Sequence, residues 1–419
     1  MKNIKSFLFF MLFALSIYSC KETATSEIVI GKENFEKDLQ TRLIELDSNT
    51  VIVLPEGEFE LRRSISMHNK NGITIRGAGK GKTVLSFSGQ VDGAEGVLIK
   101  GARNLTLEGF TVSDSKGDAI KVQEGINVVM RDLETTWTKG KLATNGAYGL
   151  YPVSCTGVLM EKCEASYAMD AGIYVGQSNN VIVRENYAHH NVAGLEIENT
   201  ICAEVYNNKA TENAGGMLIF DMPDLPQPKG DKIKFYNNTI INNNGENFAP
   251  KGMVVSTIPP GSGMIIMAHN NIEFYNNTID NHKSLGVAVN SWLLTGVPFK
   301  SEKYDPFCHN ISIHSNKITN TSGIVDTTTD FGKMLTGYLG GKPVDIVIDG
   351  IFSPSDIGED GKIQGFCIQN NGEISFVNFN MYKGQKPEEV MKNLSTDIKQ
   401  FDCILPAFDT SCHNAWLPK

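Results

Sequence analysis

A parallel β-helix, an all-β solenoid, is the fold this sequence predicts, and three observations predict it. Lines of alternating apolar residues recur through the middle of the chain: NGITIRG at 71, NLTLEGF at 104, NVVMRDL at 127, GVLMEKC at 157, NVIVREN at 180, CAEVYNN at 202, KIKFYNN at 232, NIEFYNN at 271 and NISIHSN at 310. Their spacing is regular, with Leu105 to Val128 and Val158 to Val181 both 23 residues and longer gaps marking inserted loops. A second alternating line follows each first one, as in AGIYVGQ at 171, AGLEIEN at 193 and GGMLIFD at 215. Two or three short strands in 22–23 residues cannot close a core alone, so each unit must stack on the next. A leucine-rich repeat needs a fixed Leu and Asn frame, and a propeller blade needs about 40 residues. At ~4.8 Å per rung, roughly ten coils make a rod about 45–50 Å long.

Composition agrees. The 419 residues are 41% hydrophobic and 20% charged, enough for a sizeable core. A net charge of −9 argues against general nucleic-acid binding, which needs basic surface. The 40 glycines, with abundant Asn, suit tight turns in the left-handed backbone region.

Taken in order, residues 1–19 read as an export signal: Lys2 and Lys5 precede an apolar run from Phe7 to Ile17 that is shorter than the roughly 20 residues of a spanning helix. Ile17-Tyr18-Ser19-Cys20 resembles a bacterial lipobox, which implies lipidation at Cys20, a tether over 20–31 and an outer-membrane lipoprotein facing the periplasm or the cell surface. Residues 32–49 hold an N-terminal capping helix (34–46), with Asn34 as N-cap and Phe35, Leu39 and Leu43 on one stripe. The solenoid spans 50–380. A C-terminal cap follows over 381–419, with a helix at 387–400 opened by Pro387. Both caps cover strand edges that would otherwise invite aggregation. Export permits disulfides, and Cys403 with Cys412 is the expected pair; Cys163 falls at an inward position and is expected to be a buried thiol.

Stacking the lines gives columns. Val183, Val205, Phe235, Phe274 and Ile313 fall inward, and Asn186, Asn208, Asn238, Asn277 and Asn316 form an amide ladder at a turn. An outward column runs Arg131, Glu161, Arg184, Tyr206, Tyr236, Tyr275, His314. Its tyrosines suit three readings: a platform for sugar rings, a ladder that stacks on itself, or a surface beneath an inserted loop. On the second line, Tyr151, Tyr174, Glu196 and Leu218 share one outward column.

Several stretches resemble right-handed parallel β-helix proteins: TVIVLPEGEFEL at 50, NGITIRGAG at 71, and SYAMDAGIYVGQSNNVIVRENYAHHNVAGLEIEN at 166. The resemblance is closest to a family of exported bacterial β-helix lipoproteins, related at the fold level to pectate lyases, alginate lyases and mannuronan C5-epimerases. It covers nearly all of 50–405 and implies an acidic polysaccharide as partner, cleaved by β-elimination or epimerised by C5-proton abstraction. The Asp-Pro-His-Asp signature of the epimerases is absent, and no pectate-lyase or polygalacturonase signature stands out.

Such chemistry needs a base, an acid and a neutraliser for the substrate carboxylate. Asp170, Tyr174, His190 and Glu196 are the catalytic candidates, from two adjacent coils. Tyr148, Arg184, Tyr206, Tyr236 and Tyr275 are the substrate-binding candidates. No zinc-like spacing occurs. Acidic pairs such as Glu196/Glu198 and Asp114/Asp118 suit calcium, although no calcium-binding repeat is present. A non-catalytic scaffold that binds glycan or a partner protein is the alternative reading.

Overall fold

A coil of this protein is three parallel strands, as the turn from 179 to 198 shows: Asn179–Arg184, Tyr187–His189 and Ala193–Glu198. The next coil lays Ile201–Tyr206, Lys209–Thr211 and Gly215–Phe220 directly on them, each in parallel register. The computed structural model describes residues 25–409. Within them the first two strands of each coil belong to one 20-stranded sheet that bends around a corner, and the third strands form a separate sheet of eleven. The three stacks are called here the first, second and third faces.

Alternation dictates which side chains enter the tube. Met130, Met160, Val183, Val205, Phe235, Phe274 and Ile313 lie in register and are fully buried, as the repeat predicts. Phe235 and Phe274 stack with their rings 5.4 Å apart.

The corner between the first and second faces carries the expected Asn ladder. The Nδ2 of Asn186, Asn208, Asn238 and Asn277 each donates to the Oδ1 of the next, at 2.9–3.0 Å, and Asn316 extends the series to Asn371. The strained backbone sits one residue earlier: Asn207, Asn237 and Asn276 have φ of 53–56° while the ladder Asn points inward. This division of labour accounts for the repeated Asn-Asn pairs, since Asn tolerates the left-handed region and its amide satisfies buried backbone groups. A second ladder, not anticipated, occupies the next corner: Asn191, Asn213 and Asn243, ending on His282. Asn208→Leu is expected to strand Asn186 donors and the Val183 carbonyl, each costing ~1–3 kcal/mol. Thermal unfolding checks this, and an unchanged Tm would refute it.

Both ends depart from expectation in detail. Ser26–Val29, within the segment expected as a tether, is a strand paired with Thr50–Val53 and forms the first rung. The helix Phe35–Glu45 buries Phe35, Leu39 and Leu43, with the Phe35 ring stacked 3.8 Å from Phe59. Asn34 precedes it but lies at φ 51° and makes no side-chain cap, so its role is the left-handed entry turn. The C-terminal helix is Pro387–Asn393 rather than 387–400, because Ser395 exchanges two backbone hydrogen bonds with Asn378 and holds the chain extended. A short 3-10 turn, Ile398–Phe401, then buries Phe401 against Phe376. A further helix at Asp330–Leu339, capped by Thr329 Oγ1, arises where the repeat weakens.

The disulfide assignment is corrected. Cys403 bonds to Cys367, 36 residues away, whereas Cys412 lies outside the described residues. The end cap folds Cys403 back across the strand Phe366–Gln369, so spatial rather than sequence neighbourhood chose the partner. Cys202 is also disulfide-bonded. Cys163 is a buried free thiol as expected, and its N–H donates to Asn186 Oδ1. The lipidation candidate Cys20 and the export signal lie outside the described residues. Among the described residues no helix is long and apolar enough to cross a membrane.

Candidate functional site

The third face carries the most unusual side chains. Its strands place Ser66, Leu98, Lys121 and Tyr151 in one outward column, which continues through Tyr174, Glu196, Leu218, Ile265, Ala288 and Val347. The predicted alignment of Tyr151, Tyr174, Glu196 and Leu218 is therefore real. Period-2 alternation directs Glu198, two residues beyond Glu196, to the same side.

Four of these groups are almost wholly removed from solvent: Asp170, Tyr174, Glu196 and Glu198 are 6%, 5%, 3% and 5% exposed. Burial disfavours their charged forms. It pushes Asp170 up to about 7, with a small offset from the adjacent Tyr148 hydroxyl. Burial, then the neighbouring Asp170 charge, raises Glu198 to about 8 and holds Glu196 well above the carboxylate range. Asp170 Oδ1 is buried without a hydrogen-bond partner. The Asp170 charge thus acts on Glu196 and Glu198 alike and raises both.

Three tyrosines cluster beside these carboxyls. The Tyr148 ring lies 4.4 Å from Tyr174 and 4.6 Å from Tyr151, and Tyr151 meets Tyr174 edge-on at 4.9 Å. Beside them Lys121 Nζ sits 4.8 Å over the Tyr151 ring, 3.6 Å from Asp118 and 3.9 Å from Glu95. Lys121 escaped the sequence reading, although GDAIKVQ aligns it with Tyr151 and Tyr174.

The other candidates lie elsewhere. Arg184 is on the first face, where it pairs with Glu161 at 2.5 Å and donates to the Tyr206 hydroxyl at 3.1 Å; Arg131 holds the other oxygen of Glu161. It is consumed by this lattice and is not beside Tyr174. Tyr206, Tyr236, Tyr275 and His314 stack face to face at 4.9–5.2 Å with interplanar angles of 6–14°. Of the three readings of that column, the self-stacking ladder is the one built, because neighbouring rings occupy one another's faces.

His190 sits at the second corner with φ 60°, the position that Glu212 and Asn242 take in later coils. Its contacts are His189, 2.7 Å between the Nδ1 atoms, and the Tyr167 ring at 5.1 Å. Burial, His189 and Lys141 lower its pKa, against a smaller opposing effect of Glu212. Among the described residues no hydrogen bond, ion pair or ring contact joins His190 to Asp170, Tyr174 or Glu196. Of the four catalytic candidates the structure gathers three, with Tyr148, and leaves His190 outside.

Among the described residues no group of three or more His, Cys, Asp or Glu side chains is arranged to hold a metal ion. Asp114 accepts from the backbone and hydroxyl of Thr138 instead.

Comparison with known proteins bears on the fold. Residues 134–293 match the family described as right handed beta helix region. No curated protein matches the chain in sequence. Among solved structures, the A-module of a mannuronan C-5 epimerase from Azotobacter vinelandii superposes with a TM-score of 0.52 at 15% identity, covering 77% of this chain and 89% of that one. The catalytic unit of a GH87 alpha-1,3-glucanase from Streptomyces thermodiastaticus gives 0.48 at 12% identity, over 78% of this chain and 51% of that one. An alginate lyase from Paenibacillus gives 0.37 at 13% identity, over 68% of this chain and 97% of that one. With the observed parallel stacking, the family match and the epimerase module identify this chain as a right-handed parallel β-helix.

Proposed function

We propose that the protein processes glycan on the outer surface of its third face, with Asp170 and Glu196 as the proton-transferring pair. The observation that carries this is the nearly buried Asp170 and Glu196, the latter in register with Tyr174, beside the Tyr148, Tyr151 and Tyr174 ring cluster. Aromatic rings beside carboxyls suit a sugar, whose apolar face packs on the ring while its hydroxyls find acceptors. A pair that shares one proton supplies an acid and a base together. The protonated member delivers its proton to the glycosidic oxygen as the C–O bond breaks. The ionised member takes a proton from water as the water oxygen bonds to the anomeric carbon. The acidic lining favours a neutral glycan for this step, since Arg184, the expected neutraliser, is engaged on the first face.

A second reading, β-elimination or C5 epimerisation of a uronate, is favoured by Lys121. Its ammonium lies on the same outward column and would face a substrate carboxylate, with a tyrosine as proton donor. The proteins of similar fold named above include an epimerase, a glucanase and a lyase, which supports glycan as the class of partner.

One panel experiment separates the readings. Wild-type protein is incubated with neutral polymers (glucans, xylan, mannan) and with alginate and polygalacturonate. New reducing ends without absorbance at about 235 nm support hydrolysis; absorbance there supports elimination. Binding without product favours the scaffold, and neither binding nor product refutes the proposal.

Anchoring is a further part of the proposal. Cys20 is taken as the lipidated N-terminus of an outer-membrane protein, supported by the apolar run and the Ser19-Cys20 junction. Cys20→Ser is expected to move the protein from the membrane to the soluble fraction and abolish labelling by a clickable fatty acid. Unchanged fractionation and labelling would count against it.

A further inference from the structure

The third face is open up to Tyr151 and covered from Tyr174 and the carboxyl pair onward. Before the pair, the outward Ser66, Leu98, Lys121 and Tyr151 are half-exposed. Beyond it, Leu218, Ile265, Ala288 and Val347 are 6%, 8%, 0% and 0% exposed, although they continue the same column. The cover comes from inserted segments absent in the earlier coils. One runs from 242 to 261 and lays Val255 and Ile258 on the sheet; Ile258 Cγ2 lies 2.9 Å from where a Gly215 side chain would begin. Another is the helix Asp330–Leu339, whose Leu335 is fully buried in the same apolar layer.

This wall is held in place rather than draped. Asn247 Nδ2 donates to the carbonyls of Val255 and Ile258 at 3.0 and 2.9 Å, and Ser284 Oγ donates to the Pro260 carbonyl. Phe220, in register with Glu198, is 8% exposed and closes the floor at the same level.

From this asymmetry we infer that the groove is blind-ended and that the protein acts on glycan chain ends. The inference rests on the proposed glycan reading and names how the substrate lies. An internal stretch of polymer over Asp170 and Glu196 must continue in both directions along the face. In one direction it meets Glu95, Asp118, Lys121 and Tyr151, which offer charged and hydroxyl partners. In the other it meets a packed apolar layer, where buried sugar hydroxyls would lack partners and each cost ~1–3 kcal/mol. A terminal residue needs only the open direction. The chain therefore lies over the 95–151 side, with its end against the wall.

The test uses the wild-type protein and the polymer that gives product in the panel above. Product length is followed chromatographically from the earliest time point, together with viscosity. The expected result is one short product throughout, with viscosity falling only in proportion to sugar released. A ladder of intermediate fragments with an early collapse of viscosity overturns the inference while leaving glycan processing intact. No product from any polymer overturns both. Ile258→Ala, which thins the wall, is expected to add internal fragments to the product distribution; in a variant that stays folded by circular dichroism, an unchanged single product counts against the wall as the determinant.

Discussion

Glu196→Gln and Asp170→Asn each lower glycan turnover by roughly a hundredfold or more, because each removes one member of a pair that must both give and take a proton. The amides keep size and hydrogen-bonding capacity, so the fold is preserved and the loss reads on chemistry. Tyr236→Ala on the first face is the matched control. It breaks two stacked contacts, each worth ~0.5–1.5 kcal/mol, and lowers the Tm while leaving turnover unchanged. His190→Ala belongs with this control, since its contacts are with His189 and Tyr167. Initial rates and melting curves on the four variants check the assignment. Full activity in Glu196→Gln would remove the pair from the mechanism.

Stability falls as pH rises from about 6.5 to 8.5, and the same carboxyls cause it. Folded, burial holds Asp170 and Asp349 up to about 7 and Glu198 up to about 8, with Glu196 and Asp221 also raised. Unfolded, they return to about 4. Between those values the folded chain keeps protons that the unfolded chain has released. Unfolding therefore releases protons, and each rise in pH favours it until the folded pKa is passed. A shift such as that of Glu198, from about 4.5 to about 8, corresponds to about 5 kcal/mol over that whole span, of which the window above 6.5 holds only the upper part. Histidines act oppositely at lower pH: burial depresses His269 and His282 to about 4 and also lowers His190, so their contribution is lost as pH falls below about 6.5. Above 6.5 the carboxyls act together with His309, which its bonds to Asp305 and Asp356 hold up to about 9 and which contributes in the same direction. Glu198→Gln is expected to flatten the Tm-against-pH slope there, and a slope equal to wild type would show that Glu198 does not hold its proton in the folded state.

The sequence alone determined the coil, because a 22–23-residue period with period-2 alternation has one way to bury its apolar side chains. It also determined the inward column from Val183 to Ile313, the first Asn ladder and the alignment of Tyr151, Tyr174 and Glu196, since stacked identical units put equivalent residues one above another. The second ladder was equally periodic but hidden by His282, which replaces Asn in its last coil.

What the sequence did not decide was which face each column occupies and what covers it. Arg184 and Tyr174 are ten residues apart, yet they lie on different faces because a corner at 177–178 intervenes. His190 is closer still to Glu196 in sequence, but its left-handed backbone commits it to the corner. The Cys367–Cys403 bond, the apolar cover from 242–261 and the helix Asp330–Leu339 are all products of segments outside the repeat, with no equivalent copy to align. The raised carboxyls follow from that tertiary arrangement as well. Their sequence is that of exposed strand residues, and only neighbouring rings and inserted loops withdraw the water that would keep them ionised.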